Sequence, residues 1–295
     1  MTDALAALSD RIADHTGAAA PCLVSLFPGT RAARTGFALQ SGVLVTSEQG
    51  MPDGAELPVL LPGGATATAT LAGRDPGTNV AVLRLPLDPL PGSDADPRTG
   101  GLALALGAAD GAATASLGVV HRVGPAWDSM AGGRIDHLVV LDLRLPRTAE
   151  GGPVLDASGA LLGMSTFGPR RQVLVIPAAT VRRAAQAVLD GKAAGGRGWL
   201  GLGLQPVGLP GTMQQASGRD SGLMVVSLVP QGPAEQAGVL PGDILLDVDG
   251  APAPHPRAVA RALRGDRVGQ VVPLRLLRGG APIELPATVA RRPAA

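Results

Sequence analysis

Short apolar runs, each cut off by Gly, Pro or Asp, recur along most of this chain. They occupy residues 22–26, 42–46, 58–61, 80–85, 102–106, 115–123, 137–143 and 160–165, with a further run at 173–177. Runs of this length bounded by turn residues predict strands, and many of them at near-regular spacing predict a barrel or a sandwich. Two stretches carry a helical period instead. Leu5, Leu8, Ile12 and Ala13 predict a short amphipathic helix over about residues 4–14, and Val181, Ala185 and Val188 lie on one face of a second helix over 178–190. Residues 191–198 are Gly-rich and basic, which predicts a linker between two domains. The expected organisation is therefore a helical segment over 1–18, a β-rich domain over 19–190, the linker, and a second domain over 199–295.

A chain of 295 residues is long enough for two buried cores. The composition, 45% hydrophobic and 17% charged, is that of a globular protein, and its 42 Gly and 27 Pro suit short strands and tight turns better than a helical bundle. Aromatic residues make up only 2% and Tyr is absent, so the cores must come from Val, Leu, Ile and Ala. The same scarcity excludes nucleic-acid recognition by base stacking. A net charge near +1 gives no footprint for nucleic acid or an anionic membrane, and the pairs Arg170-Arg171 and Arg182-Arg183 read as solvated faces. Cys22 is the only cysteine, which excludes an intrachain disulfide; it reads as a small core residue in a buried strand.

The amino-terminal residues lack a basic segment and a long apolar run, so they do not read as a signal peptide, and no stretch of about 18 apolar residues predicts a membrane span. A native start at Met1 implies the cytoplasm; an export signal trimmed from the amino terminus implies the periplasm. His15, His121, His137 and His255 show no metal-ligand spacing, and neither metal nor cofactor is expected.

Candidate chemistry centres on Thr148-Ala149-Glu150-Gly151-Gly152-Pro153. This segment resembles the nucleophile loop GNSGGP of the HtrA family of chymotrypsin-like proteases, where the serine attacks the scissile carbonyl and loop N–H groups hold the oxyanion. Upstream, Gly73-Arg74-Asp75-Pro76-Gly77-Thr78-Asn79-Val80-Ala81-Val82-Leu83-Arg84 resembles the family's GRDPxTDLAVLK, which carries the orienting aspartate. Earlier still, Gly42-Val43-Leu44-Val45-Thr46-Ser47-Glu48-Gln49 is similar to the strand that ends in the family's histidine, ILTNNHVV. The resemblance implies a double β-barrel with Gln49, Asn79 and Glu150 at the histidine, aspartate and serine positions. Glu150 offers no hydroxyl or thiol, Gln49 is no base near neutral pH, and an amide at 79 cannot stabilise an imidazolium as a carboxylate does. No catalytic residue is assigned. The three residues are expected to meet at the cleft between two six-stranded barrels. The N–H groups of residues 149–151 are expected to turn away or to be occupied by a side chain. Glu48 and Glu150 could also approach each other, which would raise one pKa and open a two-carboxylate chemistry.

The second domain begins with Trp199-Leu200-Gly201-Leu202 and continues through Gln205-Pro206-Val207. Residues 222–245 include Pro233-Ala234-Glu235-Gln236-Ala237-Gly238-Val239-Leu240-Pro241-Gly242-Asp243, and Asp249-Gly250 supplies a hairpin turn. These segments resemble the PDZ domain of HtrA proteins, and the likeness runs from about residue 4 to about 290. It implies an α+β domain that captures peptide carboxy-termini by strand addition, with a carboxylate loop at Trp199, Leu200, Gly201 and Leu202 and a groove helix over 256–264. Ala260 and Leu263 on that helix imply a preference for an apolar last residue.

The expected protein is a mainly β pseudoprotease that binds protein or peptide carboxy-termini as an adaptor, chaperone-like holder or scaffold. A hydrolase using the altered pocket and a purely architectural subunit are the alternatives. The family implies a homo-oligomer, but its trimers form through aromatic residues that this chain scarcely has.

Overall fold

The computed structural model describes residues 2–27, 30, 33–49, 51–52, 54–129, 133–191, 198–263 and 267–291. Most of the predicted linker, residues 192–197, and the last residue of the predicted groove helix, Arg264, lie outside the described residues. The chain divides into two compact units, Met1–Trp127 with Arg134–Ala193, and Asp128–Gly133 with Ala194–Ala295.

Helix α1 spans Thr2–Ala19, longer than its apolar period suggested, because the segment is rich in alanine and free of proline. Ile12 packs against the core beneath it, whereas Leu5 stays 73% exposed. A single 3₁₀ turn holding Cys22 follows, so this residue lies just before the first strand rather than inside it. It is buried, as a small core residue should be, and its thiol donates to the Pro89 carbonyl.

The first barrel closes through β1 (Leu23–Leu26), β2 (Arg34–Gln40), β3 (Val43–Ser47), β4 (Glu56–Leu60), β5 (Thr66–Asp75) and β6 (Val80–Arg84), in the order β1-β2-β3-β6-β5-β4. The second uses β7 (Leu102–Ala109) and β8 (Ala112–Gly124). After the two-residue strands β9 (Trp127–Asp128) and β10 (Arg134–Ile135), it continues with β11 (Leu138–Asp142), β12 (Pro153–Leu155), β13 (Leu161–Phe167) and β14 (Val173–Pro177). His137 thus precedes β11 instead of lying within it. All the barrel pairings described are antiparallel, and closure leaves neither barrel an edge.

Strand alternation explains where the polar cleft falls. On β3, Leu44 points into the first barrel with Val24, Leu26 and Leu83, while Val43 and Val45 face a shared core with Leu104, Leu106 and Met164 of the second barrel. Ser47 is next in the row of Val43 and Val45. The apolar seam between the barrels therefore ends in a hydroxyl. Helix α2 (Ala178–Leu189) closes the unit by burying Val181, Ala184, Ala185 and Val188. Its exposed Arg182 and Arg183 are held by Asp94 and Asp136 at 2.7 and 2.8 Å, so this basic pair is neutralised locally.

The second unit is a five-strand path β16-β17-β18-β20-β21, with β15 (Gly198–Trp199) paired to β22 (Ala290–Arg291). Its elements are β16 (Leu202–Gly208), α3 (Gly211–Ser217), β17 (Ser221–Leu228), α4 (Pro233–Gln236), β18 (Ile244–Val248), β19 (Ala251–Pro252), α5 (Pro256–Ala262), β20 (Val271–Arg278) and β21 (Ala281–Thr288). Leu200, Leu223, Val225, Leu245, Leu274 and Leu276 form the centre of its core. No described helix is long and apolar enough to cross a membrane.

Candidate functional site

The loop at 148–153 is built into the cleft by packing rather than by flexibility. Gly151 has a φ of +87°, and a Cβ there would lie 2.4 Å from Thr46 Oγ1 and 2.5 Å from the Thr35 carbonyl oxygen. Gly152 would place a Cβ 2.0 Å from the Leu106 carbonyl oxygen. Both positions exclude a side chain. Cross-barrel bonds fix the loop further. Thr35 donates from its amide to the Glu150 carbonyl (3.0 Å) and from its hydroxyl to the Thr148 carbonyl (2.7 Å). On the other side, Ser165 donates its hydroxyl to the Ala149 carbonyl at 2.9 Å.

Glu150 turns its side chain inward and is 3% exposed. Its Oε2 meets Arg34 Nη1 at 3.0 Å, and its Oε1 accepts from Ser47 at 3.3 Å and Thr166 at 3.4 Å. Asn79 completes the network: its Nδ2 donates to Thr166 Oγ1 (2.8 Å) and Ser47 Oγ (3.0 Å), and its Oδ1 accepts the Gln49 amide (2.7 Å). Asn79 sits at φ +62°, a left-handed conformation that asparagine tolerates better than most residues. The main chain of Gln49 therefore joins the other two residues at the cleft, but its side chain is exposed and bonds to nothing among the described residues.

Arg34 is the residue the sequence pattern did not reveal. A carboxylate on a loop that must bury needs a cation, and that rule is the signal that could have prompted the search. The guanidinium is 14% exposed and comes from the first residue of β2, so the ion pair joins the two barrels. Glu48 belongs to a separate pair, with Arg74 at 3.7 Å; burial pushes its carboxyl above the usual range despite that partner. No bond links Glu48 to Glu150 among the described residues.

The loop amides are occupied by backbone carbonyls rather than by a side chain. Residues 147–149 form a 3₁₀ turn in which the Glu150 amide donates to the Arg147 carbonyl (3.2 Å) and the Ala149 amide to the Pro146 carbonyl (3.0 Å). The Gly151 amide donates to the Ser165 carbonyl at 2.9 Å.

In the second unit, the predicted carboxylate loop lies between β15 and β16. Gly201 has a φ of +76°, and a Cβ there would lie 3.3 Å from both Trp199 Cζ2 and Val229 Cβ. The Leu200 and Gly201 carbonyls turn inward, accepting from the Ala234 and Val229 amides at 2.9 Å each. The Leu200 and Gly201 amides donate to no acceptor among the described residues. Leu202 opens β16, the edge strand of the sheet, and Trp199 is half-buried. Helix α5 is shorter than predicted, ending at Ala262, with His255 Nδ1 accepting from the Ala258 amide at its start. Ala260 is half-buried on it. Leu263 follows the helix and is buried in the same core cluster as Leu200 and Val259.

Among the described residues no three His, Cys, Asp or Glu side chains cluster as metal ligands.

The profile of the trypsin-like peptidase domain matches residues 34–164, and that of the PDZ domain matches residues 199–289. The fold and these matches define a trypsin-fold protein with a carboxy-terminal PDZ domain. A probable periplasmic serine endoprotease, DegP-like, of Brucella suis is 28% identical over 273 residues, covering 88% of this chain and 52% of that relative. A protein of the same description from Rhizobium meliloti is 29% identical over 263 residues, covering 85% and 51%. The chain thus spans about half the length of the curated relatives it matches. Among solved structures, the serine endoprotease from Yersinia pestis superposes with a TM-score of 0.72 at 23% identity, covering 96% of this chain and 98% of that one. The HtrA-type protease AlgW with a tripeptide gives 0.67 at 26% identity, with the same coverage. In sequence and fold the chain is similar to these DegP-like and HtrA-type proteases.

Proposed function

We propose that this chain is a catalytically inactive HtrA-like protein that captures protein carboxy-termini on its PDZ domain and serves as an adaptor, holder or scaffold. The observation that carries the first half is the buried Glu150 carboxylate at the nucleophile position, committed to Arg34, Ser47 and Thr166. A group so engaged is no nucleophile. Asn79 spends both ends of its amide on the same network and on the Gln49 main chain, and the Gln49 side chain supplies no base. The Glu150 amide, which would otherwise face an oxyanion, already donates to Arg147.

The second half rests on the Leu200 and Gly201 amides, which have no acceptor among the described residues, beside the open edge of β16, the combination that peptide capture by strand addition requires. Trp199 and Leu202 flank this loop and Ala260 is half-buried on α5, whereas Leu200 and Leu263 belong to the core behind them.

Incubation of the chain with a fluorescently labelled unfolded protein, alongside Glu150→Ala, tests inactivity. Neither should release fragments. Turnover by the parent that Glu150→Ala abolishes would overturn the reading in favour of carboxylate chemistry in the cleft.

A further inference from the structure

Given peptide capture as proposed above, we infer that Pro206 restricts the captured segment to its last four residues. In an antiparallel ladder each residue aims its N–H and C=O to the same side, alternating along the strand. The Val225 amide donates to the Asp243 carbonyl and the Val225 carbonyl accepts from the Gly242 amide, both at 2.8 Å, so Val225 faces away from β16. Leu204, its register partner, therefore turns its own N–H and C=O to the open side of the sheet. The register shift after Gly203 places the extra residue, Val226, on β17, so the alternation of β16 is unbroken. Leu202 and Pro206 face the open side with Leu204. The opposite parity agrees: the Gly201 carbonyl and the Leu209 amide both turn inward, to Val229 and Asp220.

The open ladder of β16 thus offers Leu202, then Leu204, then a residue with no N–H. A peptide whose carboxylate sits at the amides of 200–202 runs antiparallel to β16. Its last residue can donate to the Leu202 carbonyl, its third from the end can exchange two bonds with Leu204, and its fifth meets the Pro206 ring. Strand addition fails there because the fifth residue's carbonyl finds no donor.

The other edge is closed by the same device. The Pro273 carbonyl accepts from the Asp249 amide at 2.8 Å, so Pro273 faces away from β21. Its partner Pro286 faces outward, as do Pro282, Glu284 and Thr288 by parity. Two of these four outward positions lack a donor, and they interrupt the row at every second place, which bars a continuous added strand. The sheet directs a ligand to β16 and ends its pairing after four residues.

Titration calorimetry of the full chain with N-acetylated peptides of about four and about eight residues, both ending in leucine with a free carboxylate, tests this. The parent should bind both with affinities within about twofold of each other. Pro206→Ala, at an exposed position, should leave the shorter peptide unchanged and tighten the longer one about fivefold, the worth of one added hydrogen bond. A parent that already binds the longer peptide about fivefold more tightly, or a variant without the gain, overturns the role of Pro206 while leaving capture intact. Failure of both chains to bind either peptide overturns capture itself, and the length limit with it.

Discussion

The barrel cleft and the PDZ edge carry polar groups of opposite status. In the cleft, the side chains of Glu150, Ser47, Thr166 and Asn79 bond to one another, Arg34 engages Glu150 through Nη1 while its buried Nε meets no acceptor among the described residues, and the Glu150 amide is consumed by a turn. At the edge, the Leu200 and Gly201 amides and the outward groups of Leu202 and Leu204 have no partner within the sheet. A site that must bind something keeps unmet hydrogen-bonding capacity; a site that has spent that capacity internally becomes structure. The substitution at 150 is thus more than the loss of a hydroxyl. A carboxylate reaches farther than a serine, and its length is what lets the second barrel engage a guanidinium on the first.

The largest expected effect follows from that ion pair. Arg34→Ala leaves a carboxylate buried without its cation and should destabilise the barrel unit by about 3–5 kcal/mol, whereas Arg34→Met combined with Glu150→Leu should recover most of the loss. Thermal unfolding measured on both variants checks this. A loss below about 1 kcal/mol in Arg34→Ala would mean that Glu150 finds water or another partner, and the cleft would no longer contrast with the edge.

The next effect tests the open side. Gly201→Asp adds a side chain at a φ of +76° between Trp199 and Val229 and places a negative charge where a carboxylate must enter. Binding of a leucine-ended peptide should weaken by more than about a hundredfold. An amidated peptide should fail on the parent for the same reason. If Gly201→Asp binds as tightly as the parent, or the amidated peptide binds equally well, the loop does not hold a carboxylate and the domain is architectural.

Much of this contrast was legible before any coordinates. The runs at 80–85 and 173–177 became β6 and β14 with almost the same bounds, because Val, Ile and Leu in short blocks specify buried strands. The pattern was silent on β5, whose Thr-Ala alternation is too weakly apolar to stand out. It was also silent on β2, where Gly36 interrupts the run. A Cβ at Gly36 would lie 2.8 Å from Leu44 Cδ2, so a larger residue there would require Leu44 to shift. Motif resemblance located Asn79 and Glu150, but not Arg34. Its pairing spans more than a hundred positions, and no local period encodes a contact between barrels. The outward parity of Pro206 was likewise unreadable, since it depends on hydrogen bonds made by the neighbouring strand.

The smallest effect asks whether two carboxylates with shifts of opposite sign, one in each unit, respond differently to acid. Asp243 of the PDZ unit is 2% exposed. Burial pushes its carboxyl up, but a hydrogen bond from Arg278, the Leu240 amide and the Arg278 charge together outweigh burial and hold it below the usual carboxylate range. Arg278 grips it through Nε at 2.9 Å and Nη2 at 2.7 Å. The unfolded chain therefore takes up the proton first as pH falls, so this contribution is fully present above the ordinary aspartate value and is lost as pH drops through the lowered folded value. Glu48 of the barrel unit has the opposite sign: burial raises its carboxyl, so the folded state binds the proton first and gains stability as pH falls through the raised value. Asp243→Asn should flatten the acid side of the PDZ unit's stability profile, and Glu48→Gln should remove a gain from that of the barrel unit. Hydrogen exchange measured between pH 3 and pH 6, as about the range that brackets ordinary carboxylates, reads the two units separately. An Asp243→Asn profile as steep as the parent's would show that Arg278 contributes nothing to acid sensitivity, and the difference between the units would then lie in the cleft alone.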